Sequence, residues 1–174
     1  MPIGSVLHQD SPATIGTLPL TAFGGHPNGS ATTPNDTPYI EALNRALQLE
    51  QAAVALYAAK QRSSKATGRS GAVALDRADS HHKALRQLVR LIFAQRGFPD
   101  SDPAGLTAFT GTVAARVSRY MPPVVQDPVL GVSAQRVEFA LARRYRQVLT
   151  LAPETDRSTI MQLLEQTTAY SDRL

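Results

Sequence analysis

Residues 39–57 read Tyr39-Ile40-Glu41-Ala42-Leu43-Asn44-Arg45-Ala46-Leu47-Gln48-Leu49-Glu50-Gln51-Ala52-Ala53-Val54-Ala55-Leu56-Tyr57. Ile40, Leu43, Leu47, Val54 and Tyr57 recur at helical spacing, and Asp36-Thr37-Pro38 just ahead supplies an N-cap and a first-turn proline. The pattern predicts a helix over about 38–62. Glu50 sits in the middle of its apolar stripe. The positions three, four and seven residues to either side are Leu43, Ala46, Leu47, Ala53, Val54 and Tyr57, all apolar or aromatic. A carboxylate there loses its hydration on folding, and must recover that cost by pairing, by protonation or by binding a cation.

Downstream, the polar run 63–71 separates this helix from a second, over about 72–96, whose end is marked by Gly97 and Pro99. Two long helices joined by a short loop are expected to pack antiparallel. Asp102-Pro103 caps a short helix carrying Leu106, Phe109, Val113 and Val117, which Pro122-Pro123 closes. After Asp127-Pro128 a third long helix is predicted over about 129–151, with Val137, Leu141, Tyr145, Val148 and Leu149. A fourth starts at Pro153, with Glu154 and Asp156 suited to the positive end of its dipole. No credible strand is present. The expected fold is all-α: two helical hairpins joined by a long connection, which is a four-helix bundle with one crossover, over residues 38–174.

Upstream the composition is different. Through residue 38 the chain holds six prolines, five glycines, no Lys or Arg, and only two acids, Asp10 and Asp36. Such a segment cannot support a core of its own, so residues 1–37 read as an extended or disordered N-terminal arm. Ile3, Val6, Leu7, Ile15, Leu18, Leu20 and Phe23 are its groups able to dock on the body or a neighbouring subunit. Met-Pro-Ile-Gly-Ser lacks the features of a secretory signal, which makes a cytoplasmic location the expectation.

The third helix repeats the first. Glu138 shares its face with Gly131, Ala134, Gln135, Leu141, Ala142 and Tyr145, only one of them polar, and Tyr145 follows Glu138 at seven residues as Tyr57 follows Glu50. One helix from each hairpin thus directs a Glu and, two turns on, a Tyr towards one core. The second helix adds imidazoles. His82 shares a face with Leu75, Ala78, Leu85 and Val89, and His81 with Ala74, Ala78, Leu85 and Leu88, so either fits an inward position. A His on such a face is commonly a satisfied core residue, but beside two buried carboxylates it is also a metal-ligand candidate.

At this point the chain resembles the ferritin-like superfamily, bacterioferritins and rubrerythrins in particular. The helix from Leu43 through Glu50 to Tyr57 is similar to the family's opening helix. Asp79-Ser80-His81-His82 is similar to its Glu-x-x-His ligand helix, with Asp in place of Glu and His82 the preferred partner of Asp79. Glu138 matches the third-helix Glu, and Glu165 the Glu of the second Glu-x-x-His, where Thr168 stands in place of the His. The resemblance implies a metal set of Glu50, Asp79, His81 or His82, Glu138 and Glu165, holding iron or manganese as a dinuclear or reduced site. It implies oxidation of ferrous iron, or another dioxygen- or peroxide-linked reaction, with Tyr57 or Tyr145 orienting ligands or donating an electron. It also implies a homo-oligomer, at least a dimer.

The neighbours of Asp79 read as a helix edge and those of Glu165 as a mixed face, which leaves a second reading open. In it the chain is a metal-free helical scaffold acting in assembly or partner binding, its Glu residues bonded to the Tyr hydroxyls. The other classes are thinly supported. The chain has no cysteine, so thiolate metal sites, iron–sulfur clusters and Cys nucleophiles are excluded, and no GxSxG, P-loop or Rossmann fingerprint occurs. The formal charge is +4 with a pI near 9.8. Lys60, Arg62, Lys65 and Arg69, and Arg143, Arg144 and Arg146, form basic groups, yet without aromatic interleaving or a groove-reading motif nucleic acid is not an expected partner. No apolar run approaches the ~20 residues needed to cross a bilayer, so no membrane partner is expected.

Overall fold

A computed structural model describes residues 37–63, 69–100 and 106–171. The expected arm up to residue 36, the loop with Lys65, and the Asp102-Pro103 cap lie outside the described residues. Five α-helices follow in order: α1 Pro38–Ser63, α2 Arg69–Ala94, α3 Leu106–Val117, α4 Pro123–Leu151 and α5 Glu154–Ser171. A 3-10 turn, Ser118–Tyr120, extends α3. Among the described residues there is no strand, and the all-α expectation holds.

α1 begins where its cap signal stands. The Thr37 hydroxyl accepts from the Ile40 amide and the Thr37 carbonyl from the Glu41 amide, with Pro38 in the first turn. Fifteen of its 26 residues are buried, which makes it the central helix, packed against α2, α3 and α4. Side-chain pairing gives the directions. Tyr57 meets Glu138 while Tyr145 meets Glu50, so α1 and α4 run antiparallel. Gln95 meets Asp156 while Arg77 meets the Gln166 carbonyl, so α2 and α5 do the same. Asp156, at the start of α5, also accepts from Tyr39, tying α1, α2 and α5 together at that end.

The end of α2 differs from its reading in one residue. The Gly97 amide bonds the Ile92 carbonyl and the Arg96 amide the Phe93 carbonyl, which is a Schellman closure with Arg96 in the left-handed position at φ 60°. Gly97 is required for a different reason: a Cβ there would lie 2.8 Å from Ile40 Cγ2. Because a non-glycine residue in left-handed geometry costs about 1–2 kcal/mol, Arg96→Gly is expected to stabilise the fold by about 1 kcal/mol in urea denaturation, whereas Gly97→Ala destabilises it.

Two expectations for the connection are corrected. α4 begins at Pro123, six residues earlier than read, and carries Pro128 within it. A proline in the early turns lacks a donor that the first turn would leave unpaired anyway, so Pro122-Pro123 opens α4. In α3 the large apolar residues are not the buried face. Ala108, Gly111, Ala115 and Ser118 are buried against the bundle, while Phe109, Val113 and Val117 are exposed. Close approach is the reason: a Cβ on Gly111 would sit 3.1 Å from Val137 and 3.2 Å from Ala52, leaving no room for a large side chain on that face.

Candidate functional site: a buried ionic cluster

Where α1, α2 and α4 meet, six polar side chains share an interior that excludes water. Glu50 and Glu138 are each 1% exposed, Arg77 and His81 3%, and Tyr57 and Tyr145 are buried with them. Three helices supply them in pairs: Glu50 and Tyr57 from α1, Arg77 and His81 from α2, Glu138 and Tyr145 from α4. The seven-residue spacing on α1 and α4 brings each Tyr to the opposite helix's Glu. The Tyr57 hydroxyl donates to Glu138 Oε1 at 2.9 Å, and the Tyr145 hydroxyl to Glu50 Oε1 at 2.5 Å.

α2 supplies the cations. Arg77 forks onto Glu138, with Nε 2.7 Å from Oε1 and Nη2 2.6 Å from Oε2, and its Nη1 reaches the Gln166 carbonyl of α5 at 3.5 Å. Bidentate guanidinium–carboxylate geometry of this kind is the strong form of an ion pair. One turn on, His81 bridges both acids: Nδ1 is 2.6 Å from Glu50 Oε2 and Nε2 3.1 Å from Glu138 Oε1. An ionised carboxylate only accepts, so facing two such groups each ring nitrogen carries a proton, the imidazolium form that the raised pKa of His81 favours. Its ring stacks on Tyr57 with centroids 5.4 Å apart.

The electrostatics agree. Burial alone would lower the His81 pKa, but the charges and hydrogen bonds of Glu50 and Glu138 outweigh it and push the pKa up to about 9. Burial alone would raise Glu138, but His81 and Arg77 prevail and hold it down at about 2. Burial first, then the adjacent carboxylates, pushes the Tyr57 and Tyr145 hydroxyls above their ordinary range, so both remain neutral donors. Among the described residues, the cluster therefore sets Glu50 and Glu138 against Arg77 and His81. Among the described residues no buried side-chain nitrogen or oxygen lacks a hydrogen-bond partner.

The expected ligand set is divided by this arrangement. Glu50, His81 and Glu138 are brought together, whereas Asp79, His82 and Glu165 are exposed. The preference for His82 is corrected. Adjacent residues on a helix point about 100° apart, and the rotation that buries His81 turns His82 out to solvent. Asp79, on the same helix, and Glu165 are exposed as well, and neither makes a side-chain bond to the cluster in its place. Arg77 is the member that the sequence reading missed. It lies one turn before His81, and the neighbour test that singled out Glu50 does not mark it, because the positions three, four and seven residues to either side are Ser70, Val73, Ala74, Ser80, His81 and Ala84, half of them polar.

The donor set as arranged does not fit a metal ion. A ligating imidazole offers a bare nitrogen, and both nitrogens here are spent as donors to carboxylates. Glu138 already accepts four hydrogen bonds, from Tyr57, His81 and twice from Arg77. Among the described residues no group of three or more His, Asp or Glu is disposed to hold a metal.

No protein-family model matches this chain, and no curated protein or solved structure matches it.

Proposed function

We propose that this chain is a metal-free protein of ferritin-like architecture, a helical scaffold acting in assembly rather than an oxidase. In this reading α1 with α2 and α4 with α5 are the two hairpins, and residues 95–122 are the crossover. One observation carries the reading: Arg77 and His81 supply, from the protein itself, the positive charge that buried carboxylates otherwise obtain from metal ions. A bundle so balanced reaches its final packing without loading a cofactor. Oxidation of ferrous iron would require Arg77 to withdraw from Glu138 and His81 to lose a proton from a nitrogen facing a carboxylate.

The resemblance to proteins that self-associate, together with an apolar-bearing N-terminal segment, supports assembly of identical copies.

Elemental analysis of protein purified without chelator tests the proposal, together with anaerobic titration with ferrous and manganous ions. Substoichiometric metal is expected in both the wild type and Glu50→Ala/Glu138→Ala, and exhaustive dialysis against EDTA should leave the melting temperature unchanged. Stoichiometric iron or manganese in the wild type that disappears in the double variant would establish the oxidase-type reading instead.

A further inference from the structure

The outward face of α3 is inverted relative to an ordinary surface helix. Its small residues are buried, and Phe109, Val113, Val117 and Tyr120 form an exposed ridge along it and its 3-10 extension. Tyr120 is 87% exposed, and Val124, just past the turn into α4, is 86% exposed. Protruding apolar groups in a line, unlike apolar residues scattered singly, mark a surface that is covered in use.

The charge around the ridge selects what covers it. Arg116 and Arg119 are exposed along it, and no acidic residue occurs between Asp102 and Asp127. Pairing this ridge with its own copy would set arginines beside arginines with no acid to offset them. Apolar side chains able to enter an acyl boundary, with arginines beside them at headgroup level, meet an anionic bilayer on both counts.

We propose that α3 and the turn into α4 form a docking surface for an anionic lipid membrane, with Phe109, Val113, Val117, Tyr120 and Val124 entering the interface and Arg116 and Arg119 pairing with lipid phosphates. The contact is peripheral, since no helix among the described residues is long and apolar enough to cross a membrane. The face is separate from the buried cluster and stands whether or not that cluster holds a metal.

Flotation of the full chain with vesicles of phosphatidylcholine containing about one-third phosphatidylserine, and with vesicles of phosphatidylcholine alone, tests this. The wild type is expected to float with the anionic vesicles at least tenfold more strongly than with the neutral ones, and to be released by raised salt. Phe109→Ser/Tyr120→Ser and Arg116→Glu/Arg119→Glu should each weaken binding at least tenfold while keeping the wild-type melting temperature, because all four side chains are exposed. Wild-type protein that stays with the lipid-free fraction overturns the proposal, as do variants that float equally well, which would reduce the attraction to overall charge. A wild-type oligomer that dissociates in Phe109→Ser/Tyr120→Ser, seen by light scattering without lipid, also overturns it and assigns the ridge to a second copy.

Discussion

Arg77→Met is expected to lower the unfolding free energy by about 3–5 kcal/mol, the range found when one partner is removed from a buried ion pair. The cause is what remains, because Glu138 keeps its charge at 1% exposure and loses two of its four hydrogen bonds. Methionine fills most of the volume, so lost packing contributes little. The decisive comparison is Arg77→Met/Glu138→Gln. That pair of changes removes one charge of each sign and leaves Glu50 facing His81, so much of the loss should return. Urea denaturation of wild type, both single variants and the double variant measures the coupling as a thermodynamic cycle. An Arg77→Met protein within about 1 kcal/mol of wild type would contradict the geometry described for this pair.

Stability should also fall on the alkaline side of neutrality, which is unusual for a chain whose acids are paired. The folded-state pKa of His81, about 9, stands above its ordinary 6.5. In the interval between them the folded protein holds a proton that the unfolded chain has released, so unfolding becomes easier as pH rises. The His81 contribution is complete below pH 6.5 and is lost as pH passes through 9. Its size is on the order of 3 kcal/mol. Glu138 acts with the opposite sign. Its folded pKa, about 2, stands below the ordinary 4.5, so its contribution is present above 4.5 and is lost as pH falls to 2. The contributions of these two groups are therefore both complete between about pH 4.5 and 6.5. Tyr57 and Tyr145, pushed upward, add no titration in the alkaline window. Melting temperatures from pH 5 to 9 check the slope, and His81→Gln should flatten it whatever its baseline stability. An unchanged slope in that variant would assign the alkaline loss elsewhere.

Glu50 and Glu138 were legible as buried because helical periodicity places every neighbour of a residue, and a face with six apolar or aromatic neighbours around Glu50, and only Gln135 polar around Glu138, leaves a carboxylate nowhere else to go. The cross-helix partnership of Tyr57 and Tyr145 follows from the same spacing. His81 and His82 could not be separated, since both have apolar neighbours and the rotation of α2 is set by what it packs against. Arg77 escaped for a chemical reason: a long cationic side chain is ordinarily read as reaching water, and only a bidentate partner on another helix makes its burial affordable. The inversion of α3 was hidden as well. Its large apolar residues have core periodicity, but the decisive fact is the narrow gap at Gly111 between Val137 and Ala52, a property of α1 and α4 and not of the local sequence.

The exchange of partners between α1 and α4 has a consequence for how the two rods are aligned. Purely greasy surfaces tolerate sliding by one helical turn, because one methyl can replace another at modest cost. Here a slip of a single turn, roughly 5 Å, would tear both tyrosines from their acceptors at once and strand two phenols in a dry interior. The mirrored contacts work as a vernier with a single coincidence, and competing alignments are penalised several times over before any aliphatic side chain is consulted.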